Sequence, residues 1–484
     1  MKPNSIKTAF KNSLVYSLGN ISSKLIGLVL VPLYTEHLSV ADYGLLGILE
    51  ITAQVLVAFF GFNLYAAFFR WYWDKEIQGR QKSLFFTTLI CTIGFSIVMF
   101  TAVYCNAARL ATILFDHNAY RSLIVFMAFS AALQIVIELL SALLRIQERA
   151  ILFAVSNIFK LVISLGFTIY YVAYARQGIM GIYQAQIIGQ LCLIAILFRY
   201  TLLNIHVRFE YKALTAMLSF AAPLMLASVS AVLLNVADRY CLKFLGQLSY
   251  VGIYALGYKI ANTIKIFVVN SLGLAVQPTL YRVLDDSDHQ SYYARMMTYI
   301  ALAVMLCVLF FSVFGKEIIK FLAQKREYWD SFRIIPIISV AILFGALRDM
   351  AVIGLNITKR TGLIATVIIA MSLMNIGLNI LLIPILEYVG AAVAMLITQI
   401  IYFAIILALA QKYYPVPYEY KRLLTLFFVG MALFGISTVF ADSSLLVRLI
   451  AKTTLLVLYA PILGLIGFLN PAERKFIRRK LRLT

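Results

Sequence analysis

Long apolar runs follow one another from end to end of the 484-residue chain, with only short polar joints between them. About fourteen helical spans are predicted, over 12–33, 43–68, 83–105, 121–144, 150–174, 179–199, 215–239, 251–277, 294–315, 333–357, 361–384, 388–411, 422–440 and 445–468. Most hold roughly 20 residues or a few more, the length at which a helix crosses about 30 Å of hydrocarbon. Membrane strands would instead alternate over about ten residues. Pro32, Pro278 and Pro384 are expected to close spans one, eight and eleven. Pro223 and Pro336 are expected in the first turns of spans seven and ten, where a missing N–H is tolerated.

The polar positions inside these runs carry the functional information. Lys24 interrupts "GNISSKLIGLVLVPLYTEHL" (19–38), Glu50 lies in span two, Glu138 in span four and Lys160 in span five. Asp238 and Arg239 end span seven, Lys259 and Lys265 lie in span eight, and Arg348 with Asp349 in span ten. A charge facing lipid at the bilayer centre costs about 2.5–3.5 kcal/mol even on the lenient insertion scale. These side chains must therefore face one another or a water-filled interior.

Helical spacing groups them. Asn20 and Lys24 are i,i+4, as are Glu50 and Gln54; Gln134, Glu138, Ser141 and Arg145 share one face, as do Asn235, Asp238 and Arg239, and Ser372, Asn375 and Asn379. Lys259, Asn262 and Lys265 spread over about a third of their helix. Lys24, Lys160 and Arg348 lie roughly 15–20 Å into their spans, Lys259 and Lys265 either side of the midplane, and Asp238 and Arg239 close to the outer surface. Basic residues outnumber acidic ones six to four in this set, so a net cationic interior suited to an anionic substrate group is expected. Each also has a structural reading: Glu138 as counter-ion of Lys160 or Arg145, and the neighbours Asp238–Arg239 and Arg348–Asp349 as members of interhelical pairs.

Composition agrees with burial in lipid: 62% of residues are hydrophobic and 13% charged, whereas a soluble domain is about a quarter charged. Placing the N-terminus in the cytoplasm puts most of the 42 lysines and arginines on that side, including Lys2, Lys7, Lys11, Arg70, Lys75, Arg80, Lys82 and the tail "ERKFIRRKLR". Both termini are expected there, and the net charge of +21 reports topology and anionic lipid, not nucleic acid. The opening "MKPNSIKTAFKN" has the basic character of a signal peptide, but the run after it is long and contains Lys24, so a retained first helix is expected.

No polar segment is long enough for a nucleotide-binding domain. "FGKEIIK" lacks the glycine and Ser/Thr of a phosphate-binding loop, and Asp286-Ser287-Asp288 reads as a solvated loop, not a glycosyltransferase metal motif. The five cysteines form no C-x-x-C pair and the four histidines no metal spacing, so neither metal nor cofactor is expected.

"SVADYGLLGI" (39–48) is echoed by "LSYVGIYALG" (248–257). The echo fits two six-helix halves in parallel orientation, 1–208 and 209–415, followed by two further spans and a basic tail, 416–484.

Asn20 and Lys24 followed by "VPLYTEHLSVADYGLLGI", "FAAPLMLASVSAVLLNVADRYCL" opening the second half, and "AVQPTLYRVLDD" after span eight together resemble the polysaccharide (O-antigen, Wzx-type) flippases of the multidrug/oligosaccharidyl-lipid/polysaccharide exporter superfamily. The resemblance implies an all-α, two-lobed, V-shaped transporter that is not an enzyme. It would move an undecaprenyl-diphosphate-linked oligosaccharide, such as an O-antigen unit of lipopolysaccharide, across a bacterial inner membrane by alternating access. The implied partners are that polyprenyl diphosphate, membrane lipids and polysaccharide polymerase machinery. Lys24, Lys259, Lys265 and Arg348 are the implied diphosphate ligands, with Lys160, Arg239, Asn20 and Asn262 beside them. Glu50, Glu138, Asp238 and Asp349 would balance charge or couple H⁺ or Na⁺. Lipid II flippases favour arginines in helices one, two and eight, where this chain has lysines in one and eight and none in two. A multidrug antiporter would want carboxylates in the first helix, and a membrane-embedded polymerase or glycosyltransferase a long external loop.

Overall fold

The computed structural model describes residues 27–74, 77–271, 289–440 and 442–468. These residues form helices and joints, with no strand among them. The helices are α1 Val31–His37, α2 Val40–Phe60, α3 Leu64–Trp71, α4 Gln81–Cys105, α5 Ala107–Phe115, α6 Arg121–Ile146, α7 Ala150–Ile169, α8 Gly178–Leu203, α9 Tyr211–Leu245, α10 Leu248–Ile264, α11 His289–Leu322, α12 Ile335–Ile357, α13 Thr361–Tyr413, α14 Tyr420–Val439 and α15 Leu445–Leu465. Among the described residues eleven helical stretches are long and apolar enough to cross a membrane. This is a multi-pass membrane protein. Most of predicted span one, including Asn20 and Lys24, lies outside the described residues, as do Pro278 and Asp286–Asp288.

Two expectations about helix limits are corrected. The run 43–68 is two helices: Gly61 ends α2, and Asn63, in the left-handed region at φ 53°, starts α3. Pro32 stands in the first turn of α1, a position that suits its missing N–H; the span it is expected to close lies mostly outside the described residues. Pro223 lies well inside α9, which begins at Tyr211, so the chain accepts a missing backbone bond there. Pro336 does sit in the first turn of α12. The 53 residues of α13 would extend about 80 Å if unbroken, more than twice the hydrocarbon thickness. The break is at Glu387, with φ 53° and ψ −135°, three residues after Pro384, and the two runs either side match predicted spans eleven and twelve.

The chain folds as two compact units. The first comprises residues up to Ala255, Leu322–Tyr328 and Ser372–Tyr388; the second comprises Leu256–Phe321, Trp329–Met371 and the chain from Val389 onward.

In the first unit, Phe68, Leu84, Phe85, Leu140, Leu143, Leu193 and Met217 form a fully buried cluster contributed by α3, α4, α6, α8 and α9. At one edge Gln147 is saturated: its amide nitrogen donates to Tyr72 Oη (2.7 Å) and Asn204 Oδ1 (2.9 Å), and Tyr200 donates to its oxygen. α2 starts with a capping box in which Ser39 and Asp42 bond each other's backbone N–H.

The echoed segments pack against each other within this unit. A β-carbon on Gly44 would lie 2.1 Å from the Leu248 carbonyl oxygen, and one on Gly252 would lie 2.1 Å from the Val40 carbonyl oxygen. Each glycine thus receives the carbonyl four residues before the other, a reciprocal crossing in register at an offset of 208. Gly47 touches Ala255 on the same seam. Helices in lipid gain no hydrophobic energy from associating, so such close backbone approach, with its dispersion and Cα–H···O contacts, does much of the work.

In the second unit, Glu317 of α11 binds two cations from α15: Lys452 Nζ at 2.8 Å from Oε2 and Arg448 Nε at 2.8 Å from Oε1. All three side chains are at most 14% exposed. Thr298 of α11 donates to Glu419 at 2.7 Å, which also accepts from Arg422 of α14. These bonds tether the last two helices to α11.

Gly44→Ala and Gly252→Ala are each expected to lower the unfolding midpoint of the purified protein by several degrees, whereas Gly94→Ala, whose added methyl meets nothing within 4 Å, leaves it unchanged. Lys452→Ala is expected to destabilise by on the order of 1–3 kcal/mol, because it removes one of the two cations hydrogen-bonded or paired to the buried Glu317 carboxylate. Lys452→Arg, which keeps a second cation beside Glu317, should recover part of that loss in the same unfolding measurement.

Candidate functional site

The first unit encloses an open cavity of about 570 Å³, within the roughly 300–1,000 Å³ of small-ligand sites. Its polar lining is Glu50 and Gln54 from α2, Asn63 and Tyr65 at the start of α3, Ser130, Gln134 and Glu138 from α6, Tyr183 and Gln186 from α8, and Ser228 from α9. Two stripes recognised in the sequence, Glu50/Gln54 and Gln134/Glu138, therefore converge on one space.

Polar cross-links hold the four walls. Ser130 donates to Gln190 Oε1 (3.1 Å) and Gln190 returns a bond to the Ser130 carbonyl (3.2 Å), pinning α6 to α8. Asn63 donates to Ser228 Oγ at 2.9 Å, reaching α9, and Thr52 and Tyr240 share a 2.8 Å hydroxyl bond between α2 and α9. Gln134 hydrogen-bonds Glu138, whose carboxylate lies within electrostatic reach of Arg145 and Lys160. Glu50 is solvent-exposed and faces the cavity with no ion pair among the described residues. Tyr183 is 3% exposed, and its hydroxyl has no hydrogen-bond partner among the described residues.

Of the other sequence candidates, Lys160 is half-buried on α7, near Glu138 but not among the lining residues. Asp238 on α9 is 2% exposed and accepts from Tyr254 Oη at 2.5 Å. Its neighbour Arg239 is half-buried. In the second unit, Lys259 and Asn262 are half-buried on α10, and Lys265 opens the π-helical turn Lys265–Val269 that follows it. Arg348 on α12 donates to its own neighbour Asp349 at 2.7 Å and to Gln399 at 3.0 Å, with Tyr402 4.5 Å beneath the guanidinium.

Sequence reading passed over Tyr183 and Gln186 of α8 as part of a uniformly apolar span. With Gln190 they recur at i, i+3, i+7, a polar stripe on a buried helix. Asn63 and Tyr65 are hidden in the sequence because hydropathy runs across the break between α2 and α3, and Ser228 because one hydroxyl in the apolar α9 carries no signal.

The arrangement can offer carboxylate and amide acceptors, amide and phenol donors, and one ring face to a hydroxylated guest inside an apolar bundle. Among the described residues no lysine or arginine belongs to its lining.

Residues 9–284 match the family model described as "Polysaccharide biosynthesis protein". No curated protein matches the chain in sequence. Among solved structures the fold is similar to the lipid II flippase MurJ in an inward closed conformation, at a TM-score of 0.76 and 14% identity, covering 93% of this chain and 98% of that one. It is similar to an inward-facing multidrug resistance MATE transporter of the MOP superfamily, at a TM-score of 0.65 and 12% identity, covering 85% and 95%. A further likeness, at a TM-score of 0.54 and 13% identity and covering 86% and 96%, is to a MOP superfamily transporter from Pyrococcus furiosus described by the reverse polarity of its binding pocket. The fold is that of MOP superfamily transporters, and with more than half its length matched the chain belongs to the polysaccharide biosynthesis protein family.

Proposed function

We propose that this protein is a flippase that carries a polyprenyl-diphosphate-linked oligosaccharide across a bacterial inner membrane by alternating access. The observation that carries the reading is a cavity lined by amides, hydroxyls and carboxylates within helices otherwise suited to lipid. An oligosaccharide cannot cross hydrocarbon unaided, because each unpaired polar group there costs several kcal/mol. A hydrated polar lining replaces the lost water while the prenyl chain stays in the bilayer. Membership of a polysaccharide biosynthesis family supports a glycan as the cargo.

On this reading Lys24, Lys259 and Lys265 meet the diphosphate as point charges, weakly enough for release. Arg348, engaged by Asp349 and Gln399, would meet it as part of that group. An inside-negative membrane potential favours outward movement of the anionic carrier by about 2.3 kcal/mol per charge per 100 mV. Cytoplasmic termini and the parallel halves 1–208 and 209–415, followed by 416–484, belong to the same proposal; the reciprocal glycine crossing of the echoed segments supports them.

The two carboxylates of the cavity favour one second reading, export of organic cations. Expression in a drug-sensitive host separates the two, since a flippase confers no resistance to cationic dyes.

Lys259→Ala is expected to reduce surface polysaccharide by about tenfold, equivalent to a lost contact of about 1.4 kcal/mol. Lipid-linked glycan should accumulate on the cytoplasmic leaflet, and the amount of protein in the membrane should be unchanged. Normal polysaccharide would remove Lys259 from the transport path.

A further inference from the structure

The cavity is more selective in charge than its polarity alone requires. Among the described residues its ionisable lining consists of Glu50, Glu138 and two tyrosines. Arg145 and Lys160 act electrostatically on Glu138, so its charge is partly answered by the protein. Glu50 has no such partner among the described residues and projects into the space. Tyr183, buried to 3% exposure, offers a hydroxyl that no described protein group satisfies. A buried donor or acceptor is rarely left without a partner, so this hydroxyl awaits a guest or its water. Gln54 and Gln186 are exposed to the same space and add an adaptable donor and acceptor each.

Carboxylates only accept hydrogen bonds. A guest rich in hydroxyl or ammonium donors satisfies Glu50 and turns its charge to advantage, whereas a guest carboxylate placed near Glu50 adds like-charge repulsion and leaves both acceptors without a donor. Such a lining discriminates by rejecting the wrong charge as well as by binding the right one.

We propose that this cavity receives the glycan of the carried lipid and selects for neutral or amino sugars against uronic acids, with Glu50 as the discriminating residue. The inference rests on the flippase reading and names its substrate class.

The test uses full-length protein in proteoliposomes with three short-chain prenyl-diphosphate disaccharides that differ only in the terminal sugar: N-acetylglucosamine, glucosamine or glucuronic acid. Arrival in the far leaflet is read with an impermeant lectin or oxidant. The two neutral or amino substrates are expected to cross at least about tenfold faster than the glucuronic acid form, since one misplaced charge outweighs the 1.4 kcal/mol that corresponds to a factor of ten. In Glu50→Gln that ratio should fall toward one; the ratio is read within each protein and does not depend on yield. Equal rates in the unaltered protein, or a preference for glucuronic acid, would overturn the charge selection while leaving transport intact. An unchanged ratio in Glu50→Gln would remove Glu50 from it. Failure of all three substrates to cross, against protein-free vesicles, would overturn the flippase reading and this inference with it.

Discussion

A polar group at bilayer depth has no bulk water to turn to, so it must be satisfied by the protein or by water the protein admits. Much of this architecture follows from that constraint. Gln190 exchanges two bonds with Ser130, Asp238 is met by Tyr254, Glu317 holds two cations and Gln147 spends its amide on three neighbours. Each of these groups is paired and ties helices or joints together. The groups around the cavity in the first unit are different in kind: Glu50, Gln54, Gln186 and Tyr183 line open space, and the Tyr183 hydroxyl has no hydrogen-bond partner among the described residues. Burial with partners makes a polar side chain structural. Burial beside an open space makes it available to a ligand.

Where polarity does not hold the helices, close backbone contact does. Gly44 and Gly252 each accept the other segment's carbonyl at a distance no β-carbon tolerates. That contact gives the weak echo between 39–48 and 248–257 a physical cause, since two segments that cross reciprocally are under the same steric demand. The same crossing places α2, which carries Glu50 and Gln54 two to three turns further on, and so connects helix packing to the geometry of the cavity.

The class of the fold was legible because run length and continuity are set by the bilayer, and most spans appeared within a few residues of their expected limits. Local interruptions were less legible. The turn at Gly61–Asn63 is short and flanked by apolar residues, so hydropathy runs across it, and Pro223 looked like a helix start because proline usually is one. The stripes Glu50/Gln54 and Gln134/Glu138 could be read from i,i+4 spacing, and the structure brings them to one cavity. Their charge environment could not be read: spacing along one helix says which residues share a face but not which faces meet. Among the described residues the cavity of the first unit gathers carboxylates and amides. Tyr183 and Gln186 escaped notice because a phenol and an amide scarcely perturb the hydropathy of a long apolar helix.

Everything functional depends on the cavity being filled with water at membrane depth. The direct measurement is thiol accessibility in membranes, using a protein whose five native cysteines are replaced and a charged, membrane-impermeant maleimide. Gln54→Cys and Gln186→Cys are expected to react at rates near those of cysteines in the polar joints. Ile97→Cys and Val162→Cys, at positions 58% exposed on apolar helices and away from the cavity lining, are expected to face lipid and stay unmodified. Inert cysteines at 54 and 186, or equal labelling at all four positions, would contradict a hydrated cavity.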